Sequence, residues 1–115
     1  MSLPDAALIW CPFPDEASAV AAADSLLGEG LVACANILPP MRSLYVWRGQ
    51  RGEGRETGVL FKTNAQLLEA AIKRLGALHP YEEPAILGWR CDAGAPATLA
   101  WLGAPGEGGQ KAQEN

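Results

Sequence analysis

The sequence predicts an α+β fold in which two helices cover one face of an antiparallel sheet. Short apolar segments of strand length alternate with two longer segments whose apolar residues recur at helical spacing. Proline or glycine separates these segments, as is usual between regular elements. With 115 residues, 49% of them apolar, the chain has enough material for one core. We therefore expect one domain over residues 1–103 and a flexible C-terminal tail over residues 104–115.

The first part of the chain predicts a strand, a helix and a second strand. Residues 6–11 form an apolar run closed by proline, which is typical of a buried strand. Residues 17–27 are rich in alanine, follow two acidic residues and precede two nearby glycines, so they predict a helix. Its buried stripe is expected to contain Val20, Ala23 and Leu27. Residues 31–38 are apolar except for one asparagine, as in a strand buried on both faces.

The middle of the chain predicts two strands that pair antiparallel. In residues 43–47 the side chains alternate in character with the period of a pleated strand. Residues 57–62 predict the partner strand. Between them, residues 48–55 hold three glycines among charged side chains, so we expect an exposed loop or hairpin tip.

The clearest helical pattern follows these strands. Thr63 and Gln66 have the spacing of a capping box, and the helix should end before Pro80, which disfavours helical geometry in the residue preceding it. Its buried face is expected to consist of Leu68, Ala71, Ile72, Leu75 and Leu78. Residues 85–91 predict a last core strand, and residues 98–102 predict a short helical turn.

This arrangement predicts a ferredoxin-like βαββαβ sandwich with a four-stranded sheet and a short C-terminal helix. Both long helices would lie on the same face of that sheet. The run over residues 31–38 is too hydrophobic for a sheet whose second face is in water. We therefore expect other copies of the chain to cover that face in a cyclic homo-oligomer.

Composition and charge exclude several classes of protein. The formal charge of −4 and the scattered basic residues do not suit a nucleic-acid partner. No apolar run approaches the roughly 20 residues that cross a bilayer, so we expect no membrane partner. The three cysteines are an odd number without CxxC spacing, and the N-terminus lacks the positive charge of a secretory signal. These features predict a cytoplasmic protein with reduced thiols.

No catalytic signature is legible in the chain. His79 is the only histidine, and no Ser/His/Asp arrangement accompanies it. The glycines of the predicted hairpin tip do not precede a helix, so the dinucleotide-binding fingerprint is not met. We expect a protein that is not an enzyme and that uses no organic cofactor.

Three motifs together resemble one known family. They are ACANILPPMRSLYVWRG over residues 33–49, LFKT over residues 60–63 and HPYEEP over residues 79–84. In this order and spacing they resemble the divalent-cation tolerance family (CutA), over roughly residues 5–103. The resemblance implies a cytoplasmic homotrimer linked to tolerance of copper and other divalent metals. Its trimeric plan is similar to that of the PII signalling proteins.

The resemblance also implies a metal site at Cys11 and His79. A thiolate and an imidazole are suitable ligands for copper or zinc. The family pattern has two adjacent histidines, and Leu78 stands at the first of them. We therefore expect Cu(II) or another divalent metal to be bound only weakly. In the alternative interpretation, Cys11 is a small hydrophobic residue buried in the core.

A second hypothesis concerns a cleft between subunits. By analogy with PII-type trimers, it would bind a small anionic ligand or a partner protein and be lined by Trp47, Lys62, Tyr81, Glu82 and Glu83. In the simpler interpretation, the aromatic rings pack at an oligomer interface and Lys62 meets a carboxylate.

Overall fold

An antiparallel sheet and three helices make up the computed structural model, which describes residues 4–105. The elements in chain order are β1 (Ala6–Phe13), α1 (Glu16–Gly28), β2 (Cys34–Ile37), β3 (Met41–Trp47), β4 (Gln50–Asn64), α2 (Leu68–Leu78), β5 (Leu87–Arg90) and α3 (Pro96–Gly103). None of these helices is long and apolar enough to cross a bilayer. The predicted tail over residues 104–115 lies outside the described residues from position 106 onward.

The sheet has one strand more than the expected four. The strand order is β2-β4-β1-β5, and β3 pairs with the first half of β4 outside that path. Every pairing is antiparallel. The 15 residues of β4 therefore serve two purposes, since its second half lies between β1 and β2 and its first half forms a hairpin with β3.

The segment predicted as an exposed loop or hairpin tip is a hairpin tip, and most of it is paired strand. Only Arg48 and Gly49 form the turn between β3 and β4, and both have positive φ, 52° and 81°. Left-handed geometry at both positions is that of a tight two-residue hairpin turn. Residues 50–55 are polar or glycine and largely exposed, and backbone pairing with β3 keeps them extended.

The sheet has a covered face and an open face. Ile9, Cys11 and Phe13 of β1 are fully buried under the helices, in one cluster with Val59 and Phe61 of β4. The intervening side chains belong to the open face, among them Leu8, Trp10, Leu60 and Lys62. A Cβ at Gly58 would stand 2.3 Å from the Trp10 ring, so the ring lies where only glycine leaves room.

The sequence pattern predicted the buried face of α2 better than that of α1. In α2, Ala71 and Leu75 are buried and the other three residues of the predicted face pack against the core. In α1 the predicted stripe is confirmed at Ala23 and wrong at Val20 and Leu27, which are 39% and 41% exposed. The buried residues of α1 are Ala19, Ala22, Ala23 and Leu26.

Asn64, and not Thr63 as predicted, hydrogen-bonds to the backbone in the turn that leads into α2. Its Oδ1 accepts hydrogen bonds from the backbone N–H groups of Gln66 and Leu67, at 3.0 and 3.1 Å. Its Nδ2 donates to the carbonyl of Leu102 at 2.8 Å and thereby holds α3. Thr63 instead donates its hydroxyl to the carbonyl of Leu31 at 2.7 Å. The predicted capping box does not form, because Thr63 lies within β4 and its hydroxyl is engaged with Leu31.

The predicted core strand β5 is an exposed edge strand in the single chain. It pairs only with β1 among the strands of residues 4–105. Leu87 and Trp89 are 67% and 45% exposed. Both are paired with open-face residues of β1, so the open face carries large apolar side chains that the single chain does not cover.

Candidate functional site

A cavity of about 430 Å³ lies between the β3–β4 hairpin and the turn that follows α2. Its lining includes three aromatic rings, Tyr45, Trp47 and Tyr81, and two carboxylates, Glu56 and Glu83. We call it the aromatic cavity. It brings together residues from the hairpin and from the HPYEEP motif, which are distant in sequence.

His79 fixes one wall of the aromatic cavity through both of its ring nitrogens. Nδ1 accepts a hydrogen bond from the backbone N–H of Tyr81 at 3.0 Å, so the proton of the neutral ring resides on Nε2. Nε2 then donates to the carbonyl of Pro12 at 2.8 Å. The buried ring also stacks on Phe13 with centroids 4.4 Å apart. His79 therefore joins the turn to the end of β1.

Tyr81 continues this network to β4. Its hydroxyl donates to Oε2 of Glu56 at 2.8 Å, and its ring lies 4.9 Å from that of His79. Burial, the hydrogen bond to Glu56 and the negative charge of that carboxylate raise the pKa of Tyr81 to about 12. Tyr81 is consequently a neutral hydrogen-bond donor at physiological pH.

Cys11 lies beneath this network and is fully buried in the core. Its Sγ stands 3.6 Å from the carbonyl of Pro12. Burial, together with the nearby charge of Glu56, raises the pKa of the thiol to about 12. The thiolate is the form that binds metals, and this environment keeps Cys11 protonated.

The pair Cys11 and His79, expected to hold a metal, does not fit one in the single chain. The imidazole has no free lone pair, because Nδ1 accepts from Tyr81 and Nε2 carries the proton donated to Pro12. The thiol is neutral. Within residues 4–105 no group of three or more histidine, cysteine, aspartate or glutamate side chains is arranged to hold a metal ion. The roles that the geometry supports are hydrogen bonding for His79 and core packing for Cys11.

The cleft predicted for an anionic ligand is assembled only in part. Trp47, Tyr81 and Glu83 line the aromatic cavity, and Glu82 lines an adjoining cavity of about 200 Å³ beside Trp47 and Glu83. Lys62 lies elsewhere, on the open face of the sheet between Leu8 of β1 and Cys34 of β2. The charged side chains that line the aromatic cavity are therefore acidic, and acidic side chains repel an anion.

Arg48 was not among the predicted site residues, yet it lines the adjoining cavity together with Trp47, Glu82 and Glu83. Its Nη2 donates to Oε2 of Glu83 at 2.9 Å, and its guanidinium carbon is 5.2 Å from the centre of the Trp47 ring. The neighbouring positions of tryptophan and arginine in the sequence were a signal for a cation–π contact. The contact with Glu83 depends on how the hairpin folds against the turn, which the local pattern does not contain.

Comparison with known proteins is consistent along nearly the whole chain. The sequence pattern of the CutA1 divalent ion tolerance protein family matches residues 7–104. The divalent-cation tolerance protein CutA of Salmonella newport is 38% identical over 104 residues, which cover 90% of each chain. The crystal structure of CutA from Xylella fastidiosa superposes with a TM-score of 0.81 at 40% identity, covering 85% of this chain and 94% of that one. The crystal structure of the divalent ion tolerance protein CutA1 of Ehrlichia chaffeensis gives a TM-score of 0.82 at 29% identity, covering 88% and 94%.

Proposed function

The chain belongs to the CutA1 divalent ion tolerance protein family, and from this premise we propose that it acts in tolerance of divalent cations such as copper as a homotrimer. Membership of the family supports the cation class. The strand order β2-β4-β1-β5, with two helices on one face, supports the ferredoxin-like sandwich on which this assembly would be built.

The open face of the sheet is the observation that carries the homotrimer. Leu87 and Trp89 are largely exposed there, and in the hairpin Leu44 and Val46 are 61% and 65% exposed. Large contiguous apolar surfaces of this kind mark interfaces between chains. We propose that three copies turn their open faces towards a common axis and so remove these side chains from water.

Divalent cations are proposed to bind weakly to the assembled trimer through donors from more than one copy. Membership of the divalent ion tolerance family supports the cation, and because no group of three suitable side chains converges within residues 4–105, a second copy would have to complete the ligand set. Cys11 and His79 are engaged in the core and in backbone hydrogen bonds. The tolerance function is therefore assigned to the assembly and not to that pair.

A double substitution on the open face tests the proposal. Leu87→Asp/Trp89→Asp should prevent assembly, because it places two carboxylates at the centre of the proposed interface. Val20→Asp is the matched control, since Val20 is an exposed apolar residue on α1, away from the open face. Light scattering should give the native chain and the control a mass of three times 12.1 kDa, and the double variant a single-chain mass.

The same proteins are then expressed in a copper-sensitive bacterial strain that lacks its own CutA. The native chain and Val20→Asp should restore growth on Cu(II), and the double variant should not. A native chain that stays folded and monomeric would remove the homotrimer. Restoration of growth by a monomeric variant would separate tolerance from assembly and contradict the proposal.

We place the protein in the cytoplasm. What supports this is that all three cysteines, Cys11, Cys34 and Cys91, are free thiols. Fractionation of cells that produce the chain should recover it with cytoplasmic markers, and recovery with an external compartment would contradict the assignment.

A further inference from the structure

One face of the β3–β4 hairpin carries more positive charge than the chain balances. Side chains that are directly opposite in an antiparallel pair lie next to each other on one face of the sheet. The register of β3 against β4 therefore places Arg42 beside Arg55. We call the face to which they belong the arginine face, and its cross-strand pairs are Arg42–Arg55, Leu44–Glu53 and Val46–Arg51.

The pairing of Arg42 with Arg55 is unfavourable in the single chain. Like charges directly opposite each other destabilise a strand pair. Both residues are exposed, and within residues 4–105 neither forms an ion pair. Glu53 lies two positions from Arg51 and two from Arg55, so its single charge offsets only one of the three arginines on this face. Full balance therefore requires negative charge from outside the chain.

The apolar residues of the arginine face indicate what supplies that charge. Leu44 and Val46 lie on the same face as the arginines and are 61% and 65% exposed. Free ions can balance a guanidinium, but they leave apolar side chains in water. A protein surface covers both kinds of residue, and arginine is enriched at such interfaces. The arginine face therefore fits a protein partner with a carboxylate opposite Arg42 and Arg55.

A second copy of the chain has the complementary charge. Residues 41–56 hold four of the nine basic residues and two of the thirteen acidic ones, so the hairpin carries +2 and the rest of the chain carries −6. Charge complementarity of this kind favours association between the hairpin of one copy and the body of another. Outside the hairpin, the exposed carboxylates that form neither an ion pair nor a hydrogen bond within residues 4–105 are those of Asp5, Glu16, Asp24, Glu69, Glu82 and Asp92.

We propose that Arg42 and Arg55 together bind a carboxylate of the adjacent copy and so hold the hairpin of one copy against the body of the next. The inference rests on the proposed homotrimer and names side chains that stabilise it. Two neighbouring guanidinium groups can donate to both oxygens of one carboxylate, which gives strong charge-assisted hydrogen bonds. The repulsion between the two arginines in the single chain is thereby replaced by attraction in the assembly.

Arg42→Glu should affect the hairpin and the assembly in opposite directions. In the single chain the new carboxylate faces Arg55 and removes the like-charge pair, which favours the hairpin. In the assembly it faces the carboxylate of the adjacent copy, so the copies should dissociate about tenfold faster. Exchange between isotopically labelled and unlabelled copies at low ionic strength, followed by mass spectrometry, measures this rate. Exchange at the native rate would overturn the proposal.

Lys73→Glu is the matched control for net charge. Lys73 is an exposed cation on α2 that forms no ion pair within residues 4–105, and its substitution changes the charge of the chain by the same amount. The exchange rate of this variant should equal that of the native chain. An equal acceleration in Lys73→Glu would reduce the effect to net charge and contradict the role of Arg42.

Charge reversal on both sides of the contact identifies the partner carboxylate. In the variant Arg42→Glu/Arg55→Glu, each of the six exposed carboxylates is replaced in turn by lysine. One replacement should return the exchange rate to within about threefold of the native rate, because it restores an attractive pair with the charges exchanged. If none of the six does so, the contact between copies is contradicted.

Two further measurements separate the possible failures. Titration of the native chain with sodium phosphate should give no saturable heat, and saturable heat that the double variant lacks would show arginines open to a free anion and overturn the contact. Light scattering tests the homotrimer on its own. A monomeric native chain would remove both proposals, whereas a native trimer with unaltered exchange in Arg42→Glu would remove only this one.

Discussion

The hydroxyl of Tyr81 donates a hydrogen bond of 2.8 Å to Oε2 of Glu56, which joins the turn after α2 to the hairpin strand β4. Two residues earlier, His79 joins the same turn to Pro12 at the end of β1. These contacts position the HPYEEP motif against two strands that are distant in sequence. The turn held in this way contributes Tyr81 and Glu83 to the lining of the aromatic cavity.

Tyr81→Phe should lower the free energy of unfolding by about 1 kcal/mol, because Glu56 loses its donor while the aromatic ring remains. Urea unfolding at neutral pH measures the change. Tyr45→Phe is the control, since its ring lines the same cavity but its hydroxyl makes no hydrogen bond within residues 4–105. Equal losses in the two variants would mean that the hydrogen bond to Glu56 contributes nothing.

His79→Phe should destabilise the fold by about 2 to 4 kcal/mol. The substituted ring can still stack on Phe13, but the carbonyl of Pro12 and the backbone N–H of Tyr81 lose their partner. His79→Gln, which can satisfy one of these groups, should fall between the native chain and the phenylalanine variant. Thermal and urea unfolding provide the comparison, and a phenylalanine variant as stable as the native chain would contradict a structural role.

Cys11 should make stability depend on pH in alkaline solution. Its pKa rises from 9.0 to about 12 on folding, so the folded state keeps a proton that the unfolded state releases. This contribution is fully present below pH 9 and is lost as the pH rises towards 12. Cys11→Ala should therefore lose less stability over that interval, with the difference between the two proteins changing by up to about 1.4 kcal/mol per pH unit.

Thiol labelling gives an independent measure of the same environment. At pH near 8, Cys34 and Cys91, which are half-buried in the single chain, should react with a thiol reagent faster than Cys11 does. Cys11 should react only when the chain unfolds, since it is buried and protonated. Rapid labelling of Cys11 in the folded protein would contradict the raised pKa.

Asn64→Ala should be among the most destabilising single substitutions, at about 3 kcal/mol. The buried amide accepts from two backbone N–H groups in the turn before α2 and donates to the carbonyl of Leu102 in α3, so its loss leaves three groups without partners. Gln66→Ala, at an exposed amide side chain in the turn that follows Asn64, is the control and should cost less than about 1 kcal/mol. A small effect at Asn64 would mean that water replaces its hydrogen bonds.

Local patterns predicted the elements well where periodicity was strong. The face of α2 that contains Ala71 and Leu75 was predicted correctly, because polar residues separate the apolar ones at helical spacing. In α1 nearly every residue is apolar or small, so the pattern did not distinguish Val20 from Ala19. Where the helical pattern is weak, the packing of the helix on the sheet decides which of its residues are buried.

The roles of individual side chains depended on contacts that the sequence does not encode locally. Lys62 and Tyr81 were assigned to one cleft, but the register of β4 against β1 and β2 places Lys62 on the open face. His79 was expected to be a ligand, and the approach of its ring to Pro12, 67 positions away, makes it a structural donor. Distance along the chain carries no information about register or approach, so the sequence did not show these single-chain positions, and the cleft between subunits and the metal site stay predictions.

The amino-acid sequence by itself determined the α+β class, the order of the main elements and membership of the divalent ion tolerance family, since hydrophobic period, turn residues and motif spacing are properties of neighbouring residues. Only the tertiary structure decided that Cys11 is a buried thiol, that Arg48 meets Glu83, and that Leu87 and Trp89 remain uncovered. The burial, pKa and hydrogen-bond partners of a side chain depend on contacts between segments that are distant in sequence. The pattern of neighbouring residues does not specify those contacts.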